Sequence, residues 1–161
     1  MNPKAQITGQ IFIYIMVIVV VGLIFLLGYK YIGTILGAKC DTEEAAFFAN
    51  MQKFADNYDG YNEVATEEVK TPCSYSKVCF VDIQAIKDKA TINQAPLPIR
   101  LSVEEGVEQN IFLLDDDKQK SGYSEKIKVK NSFICINRTG AYFNIRFRGT
   151  SEQTFVEPFY K

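Results

Sequence analysis

The chain has no histidine in 161 residues, which removes the commonest general base and the commonest metal ligand together. It has no excess of one charge sign, with 18 basic against 19 acidic residues, so it lacks the positive field that draws proteins to nucleic acid. There is no glycine-rich phosphate loop, no nucleophile with a matched base, no internal repeat and no low-complexity tract. The acidic pair Glu104-Glu105 falls on a short surface helix. These absences count against enzymes and nucleic-acid binders, and the expectation is a non-catalytic protein with no cofactor and no bound metal.

The most telling absence is local. From Gln6 to Tyr29, about 24 residues carry no charge, enough to cross a membrane. As a helix at about 1.5 Å per residue, Gln6 to Leu27 spans roughly 33 Å, the depth of a bilayer hydrocarbon core. Ile11, Phe12, Ile15, Ile18, Val19, Leu23, Phe25 and Leu27 are the anchoring residues of this span. Apolar residues make up 47% of the chain and do not run out here, because Phe and Tyr recur from Phe47 to Tyr160. The remaining ~120 residues suit one further domain.

Three kinds of segment fit an apolar N-terminus: a removable secretory signal, a permanent span, and a leader of which only the first few residues are cut away. A secretory signal has an apolar region of about 7 to 15 residues followed by small residues, whereas this core is longer. Its nearest small-residue site, Leu36-Gly37-Ala38, carries a bulky leucine, and a lipoprotein cut before Cys40 meets Lys39 where a small residue is needed. The third kind fits best, since Lys4-Ala5-Gln6 sets a basic residue, a small residue and Gln directly before the apolar helix.

This arrangement resembles the class III signal peptide of archaeal type IV pilin precursors. The resemblance covers about the first 30 residues. It implies cutting between Ala5 and Gln6 by a prepilin-type peptidase, with the apolar helix kept on the mature chain. It also implies packing of that helix against copies of the chain or other pilin-like subunits. Gln10 stands where many bacterial pilins carry glutamate. The runs Gln10-Ile11-Phe12-Ile13-Tyr14-Ile15 and Val78-Cys79-Phe80-Val81-Asp82 are similar to small uncharacterised archaeal single-span membrane proteins. The alternative is a plain uncleaved anchor.

Charge counting hardly orients the span, with Lys4 on one side and Lys30 and Lys39 on the other. Tyr29, Lys30 and Tyr31 suit the outer interface, two amphipathic rings flanking a lysine that can snorkel. Gly33 and Gly37 have the small-xxx-small spacing of close helix pairs, but beyond the membrane exit they serve better to loosen the helix. The organisation expected is a leader over 1–5, a transmembrane helix over 6–32, a juxtamembrane segment over 33–40 and an extracytoplasmic domain over 41–161.

In that domain Asp41 and Glu44 form a capping pair that predicts a helix start. Phe47, Met51, Phe54 and Tyr58, widened by Phe48 and Ala55, make one apolar stripe, which Asp59-Gly60 ends. Beyond Gly60 the chain changes to short β-like runs: Tyr61 to Lys70, Lys77 to Asp82, Ile111 to Leu114, Lys126 to Lys130, Phe133 to Asn137 and Tyr142 to Arg148. Asp82 to Lys89 suggests a short helix, Ala95-Pro96-Leu97-Pro98 an extended connector, and Ser102 with Glu105 a cap for a helix reaching Gln109. Asp115 to Ser124 reads as a loop, and Asn137-Arg138-Thr139-Gly140 as a hairpin turn. The expected fold is α+β: a transmembrane helix followed by a small domain with an antiparallel sheet packed on one helix.

Four cysteines, Cys40, Cys73, Cys79 and Cys135, all lie outside the span and are even in number, as disulfides in an oxidising compartment require. Cys73 with Cys79 would leave Cys40 for Cys135; alternatively Cys79 and Cys135 pair, or sit as buried thiols. Zinc is the weaker reading, since no close Cys-x-x-Cys is present. Asn137-Arg138-Thr139 is an N-glycosylation sequon. Asp115-Asp116-Asp117 lacks the spaced ligands and closing Glu of a calcium loop and reads as a solvated turn. Tyr142, Asn144, Arg146 and Arg148 share a strand face that is solvated or meets a partner.

The functional expectation is a membrane-anchored, pilin-like structural or surface subunit whose partners are the lipid bilayer and other subunits. The alternative is a single-pass surface protein whose exposed domain binds a partner without forming filaments.

Overall fold

The computed structural model describes residues 3–86 and 92–159; the side chains of residues 3–9 and 33–36 lie outside that description. The chain divides into two compact units, Met1–Asp41 and Thr42–Lys161. One helix, α1 (Pro3–Asn57), supplies all the described residues of the first unit and the opening of the second. The expected helix start at Asp41 is therefore incorrect, since a helical backbone already runs through Gly33 and Gly37 to reach it. A glycine costs an interior helix only about 1 kcal/mol, and no proline interrupts the run. Glu44 has other work: it is buried, accepting from the Tyr75 hydroxyl at 2.7 Å and meeting Lys120 Nζ at 3.2 Å.

The second unit is built from two four-stranded sheets. Strand β1 (Val64–Lys70) pairs with β7 (Tyr142–Gly149), which pairs with β8 (Thr154–Pro158), which pairs in turn with β5 (Ile127–Val129). The other sheet has the order β4 (Gln119–Gly122), β3 (Ile111–Leu114), β2 (Lys77–Val81), β6 (Phe133–Asn137). The domain is α+β as expected, but with two sheets instead of one, and β5 runs parallel to β8 while every other pair is antiparallel.

The apolar pattern explains the layering. On β2, Val78 and Phe80 face a core shared with Phe47, Met51 and Ala55 of α1 and with Val69, Phe143, Ile145 and Phe147 of the first sheet. Cys79 and Val81 face the opposite way, into a second cluster with Ile86, Ala95 and Ile99. On β3, Ile111 and Leu113 join the first core, Phe112 and Leu114 the second. A strand covered on both faces reads as an unbroken apolar run, and Lys77–Val81 and Ile111–Leu114 do. Strand β7, covered on one face, alternates instead: Phe143, Ile145 and Phe147 are buried, and Tyr142 and Arg148 exposed. Each buried Phe contributes ~1.5–3 kcal/mol relative to exposure.

The second cluster is roofed by α2 (Leu97–Glu104), which begins and ends earlier than Ser102 and Glu105 predict. Prolines at its start offer a φ already set for the first turn, and Gly106, at φ +69°, takes the left-handed position that closes it. Asp82 Oδ1 accepts from the main-chain N–H of Gln84 at 3.0 Å and Ala85 at 3.3 Å, forming a turn; the rest of the expected Asp82 to Lys89 helix runs into 87–91, outside the described residues.

The turn at Asn137 is also corrected. Strands β6 and β7 do not form a hairpin: β6 pairs with β2, β7 pairs with β1 and β8, and the chain changes sheet between them, leaving a single bridge from Thr139 to Tyr142. Gly140, at φ +64°, makes the reversal. Asn110 is buried and ties the start of β3 to the approach to β5, its amide donating to Ser124 O at 2.7 Å and Ile127 O at 3.2 Å while its Oδ1 accepts from Ser124 N at 2.9 Å.

Candidate functional site

From Gln10 to Ile32 the described residues of α1 show no buried face. Ile11, Phe12, Ile15, Ile18, Val19, Leu23, Phe25 and Leu27 are all more than half exposed, and their large apolar neighbours around the helix, such as Ile13, Tyr14, Val17 and Val21, are exposed as well. A surface helix of a water-soluble domain shows an apolar stripe and a polar face, whereas this segment is apolar all round. It is long and apolar enough to cross a membrane. Tyr29 and Tyr31 follow, both largely exposed. Lys4, Ala5 and Gln6, the residues expected at the processing site, are helical in backbone, and their side chains lie outside the described residues.

The last turns of the same helix behave oppositely. Phe47, Met51 and Ala55 are buried, with Phe54 and Tyr58 half-buried against Phe147 at ring separations of 5.6 Å and 6.1 Å. Polar groups hold the same stretch and its exit to the sheets. The Tyr58 hydroxyl donates to Glu67 Oε1 at 2.5 Å. This bond to a carboxylate, reinforced by burial and by the negative charge of Glu67 and Glu63, pushes the Tyr58 phenol above its ordinary pKa. Lys126 Nζ lies 2.8 Å from Asp59 Oδ2 and 3.0 Å from Asp56 Oδ1. Hydrogen bonds to Asp59 and then Asp56 raise the lysine pKa, against a smaller lowering by desolvation. These ties were not foreseen in the sequence, because no local pattern pairs Tyr58 with Glu67 across the turn and Lys126 lies far along the chain from Asp59; only the apolar stripe around Tyr58 signalled that this stretch docks.

Cys79 and Cys135 face each other on paired strands and form a disulfide. Cys40 and Cys73 are also disulfide-bonded, and no described cysteine is free. The pairing of Cys73 with Cys79 is thereby overturned: β2 presents Cys79 directly to β6, while Cys73 stands in a 3-10 turn ahead of the strand. With every cysteine oxidised there is no thiolate set for zinc.

The other sequence-predicted residues are scattered. Asp115, Asp116 and Asp117 lie on a bend beside a cleft of about 590 Å³, whose wall includes Lys77, Leu97 and Lys118. Glu104 and Glu105 are exposed at the end of α2. On the outer face of β7, Arg148 Nη2 reaches Glu157 Oε2 at 3.4 Å, while Arg146 is half-buried and its Nε has no partner among the described residues. Asn137 is exposed at the end of β6. The structure does not gather these groups into one site, so the apolar segment of α1 is the candidate functional element.

Comparison with protein-family models, curated proteins and solved structures finds no match.

Proposed function

We propose that this chain is a membrane-anchored, non-catalytic subunit of pilin-like type, its apolar helix held in a bilayer or in the core of a filament and its α+β domain displayed outside. The observation that carries this reading is the two-part character of α1. One helix presents an all-round apolar surface over Ile11 to Leu27 and then a one-sided stripe, Phe47, Met51 and Ala55, buried under the sheets. The first part suits an apolar surrounding, lipid or the same segment of neighbouring subunits; the second belongs to the core of the domain. Oxidation of all four cysteines supports placement of the domain in an oxidising compartment.

Gln10 favours a second reading, a single-pass surface protein that never polymerises, since an uncharged residue there cannot neutralise the terminal amine of an adjoining subunit. Mass spectrometry of the N-terminus, on protein extracted from its native membrane, separates the two. A mature chain starting at Gln6 is the expected result. A chain starting at Met1 sinks the pilin-like route and leaves a permanent anchor.

A further inference from the structure

We infer that Asn137 is a site of N-linked glycosylation. The inference rests on the outward placement of the domain. Of the nine asparagines in the chain, Asn137 alone is followed two positions later by Ser or Thr. The fold puts this one triplet where a transferase can reach it. Asn137, Arg138, Thr139, Gly140 and Ala141 are all exposed and form the crossing from one sheet to the other.

The local geometry leaves the acceptor available. Strand β6 is an outer strand of its sheet, so Asn137 stands opposite Lys77 of β2 on one side and faces no strand on the other. Its carboxamide makes no hydrogen bond among the described residues. The main chain around it is fixed instead: Arg138 N donates to Ser76 O at 3.0 Å, and Thr139 and Tyr142 exchange main-chain bonds of 2.8 Å and 3.2 Å. Thr139 is exposed, so its hydroxyl stays accessible to an enzyme that reads Asn-x-Thr. The Cys79–Cys135 disulfide, two residues upstream of the acceptor, forms in the same oxidising compartments in which such transfer takes place.

The donor is a lipid-linked oligosaccharide, a sugar chain on a polyisoprenyl phosphate or pyrophosphate. The bond between sugar C1 and the phosphate oxygen breaks, and a bond from C1 to Asn137 Nδ2 forms. Nδ2 gives up one proton to the enzyme's base, the polyisoprenyl phosphate or pyrophosphate departs with the bonding pair, and nothing is oxidised or reduced. The attached glycan covers one end of an open strand edge, where unpaired main-chain groups otherwise invite pairing with another chain.

The test uses full-length protein from its native membrane, reduced and digested with trypsin, which yields the peptide Asn131–Arg138. A ladder of sugar increments on this peptide is expected, lost in both N137Q and T139A and kept in T139S. Recovery of the peptide at its unmodified mass alone overturns the assignment. Labelling of intact cells with an impermeant amine reagent then tells the two failures apart. Modified lysines such as Lys118 with an unmodified Asn137 refute the glycan alone, and unlabelled lysines refute the outward placement with it.

Discussion

The hydroxyl of Thr154 on β8 donates to the carbonyl of Ala55 near the end of α1 at 2.8 Å, where neither residue has any exposed surface. Ala55 is within the last four residues of the helix, whose carbonyls have no partner further along it. A strand side chain thus does the work of a helix cap. Thr154→Val keeps the shape and removes the donor, and is expected to cost about 1–3 kcal/mol, because a buried carbonyl is left unsatisfied. Thr154→Ser should restore most of the loss. Urea unfolding of the full chain in detergent, followed through the aromatic signal of the domain, measures both.

Gly149 is held by space. A β-carbon at this position would overlap main-chain atoms of Tyr58, Asp59 and Gly60, which cannot move aside as a flexible side chain can. Gly149→Ala is expected to lower stability by about 1–3 kcal/mol. Gly37 has nothing within 4 Å of the equivalent point, and Gly37→Ala should be neutral or stabilising by up to ~1 kcal/mol. Thermal midpoints of the two variants moving in the same downward direction would contradict this.

The disulfide between Cys79 and Cys135 closes a separation of 56 residues. In the chain-entropy picture a loop of that size is worth roughly 4 kcal/mol. The double variant Cys79→Ala with Cys135→Ala should lose stability of that order while the pairing of β2 with β6 keeps the fold recognisable. Circular dichroism during denaturation tests it; an unchanged unfolding midpoint would show that the bond adds nothing.

Alkali should weaken the docking of α1. Tyr58 and Lys126 both have pKa values raised on folding, so each binds its proton more tightly in the folded chain. Their stabilisation is complete below the unfolded values, near 10 for Tyr and about 10.4 for Lys, and is lost as pH climbs through the folded ones. Unfolding midpoints are therefore expected to hold steady from pH 8 to about 9.5 and then fall, with a shallower fall in Tyr58→Phe and in Lys126→Met.

Where burial pattern alone determines an element, the sequence was a sufficient guide. Ile111–Leu114 and Phe133–Asn137 have the limits that their apolar residues mark, and β2 and β7 differ from expectation by one residue each. Strand β4 was hidden because Gln119, Lys120 and Ser121 are exposed on an outer strand with no apolar face to announce it. Strand β8 carries a buried Thr154 and ends in Pro158, which masks its alternation. Partnership was the less legible property. Asn137 to Gly140 has good turn chemistry for a hairpin, yet turn residues reverse a chain equally well into a different sheet. Asp41 and Glu44 show the same ambiguity, since a capping signature inside a helix that is already propagating caps nothing. For the candidate site, the uncharged stretch was plain from composition, while Glu44 with Tyr75 and Lys126 with Asp59 depend on long-range placement that no local pattern encodes.

Strand β8 lies between β7 and β5, so those two earlier strands meet only through the later one. A chain emerging end-first from a ribosome or a translocation pore delivers β5, which ends at Val129, well before Thr154–Pro158 arrives to join it, with β7 following only just ahead of β8. Until then β5 has no partner in its sheet, and one wall of the core shared with Phe47 and Met51 stands open. Completion of this sheet thus waits on β8, and a ribosome stalled before residue 154 leaves that wall unfinished.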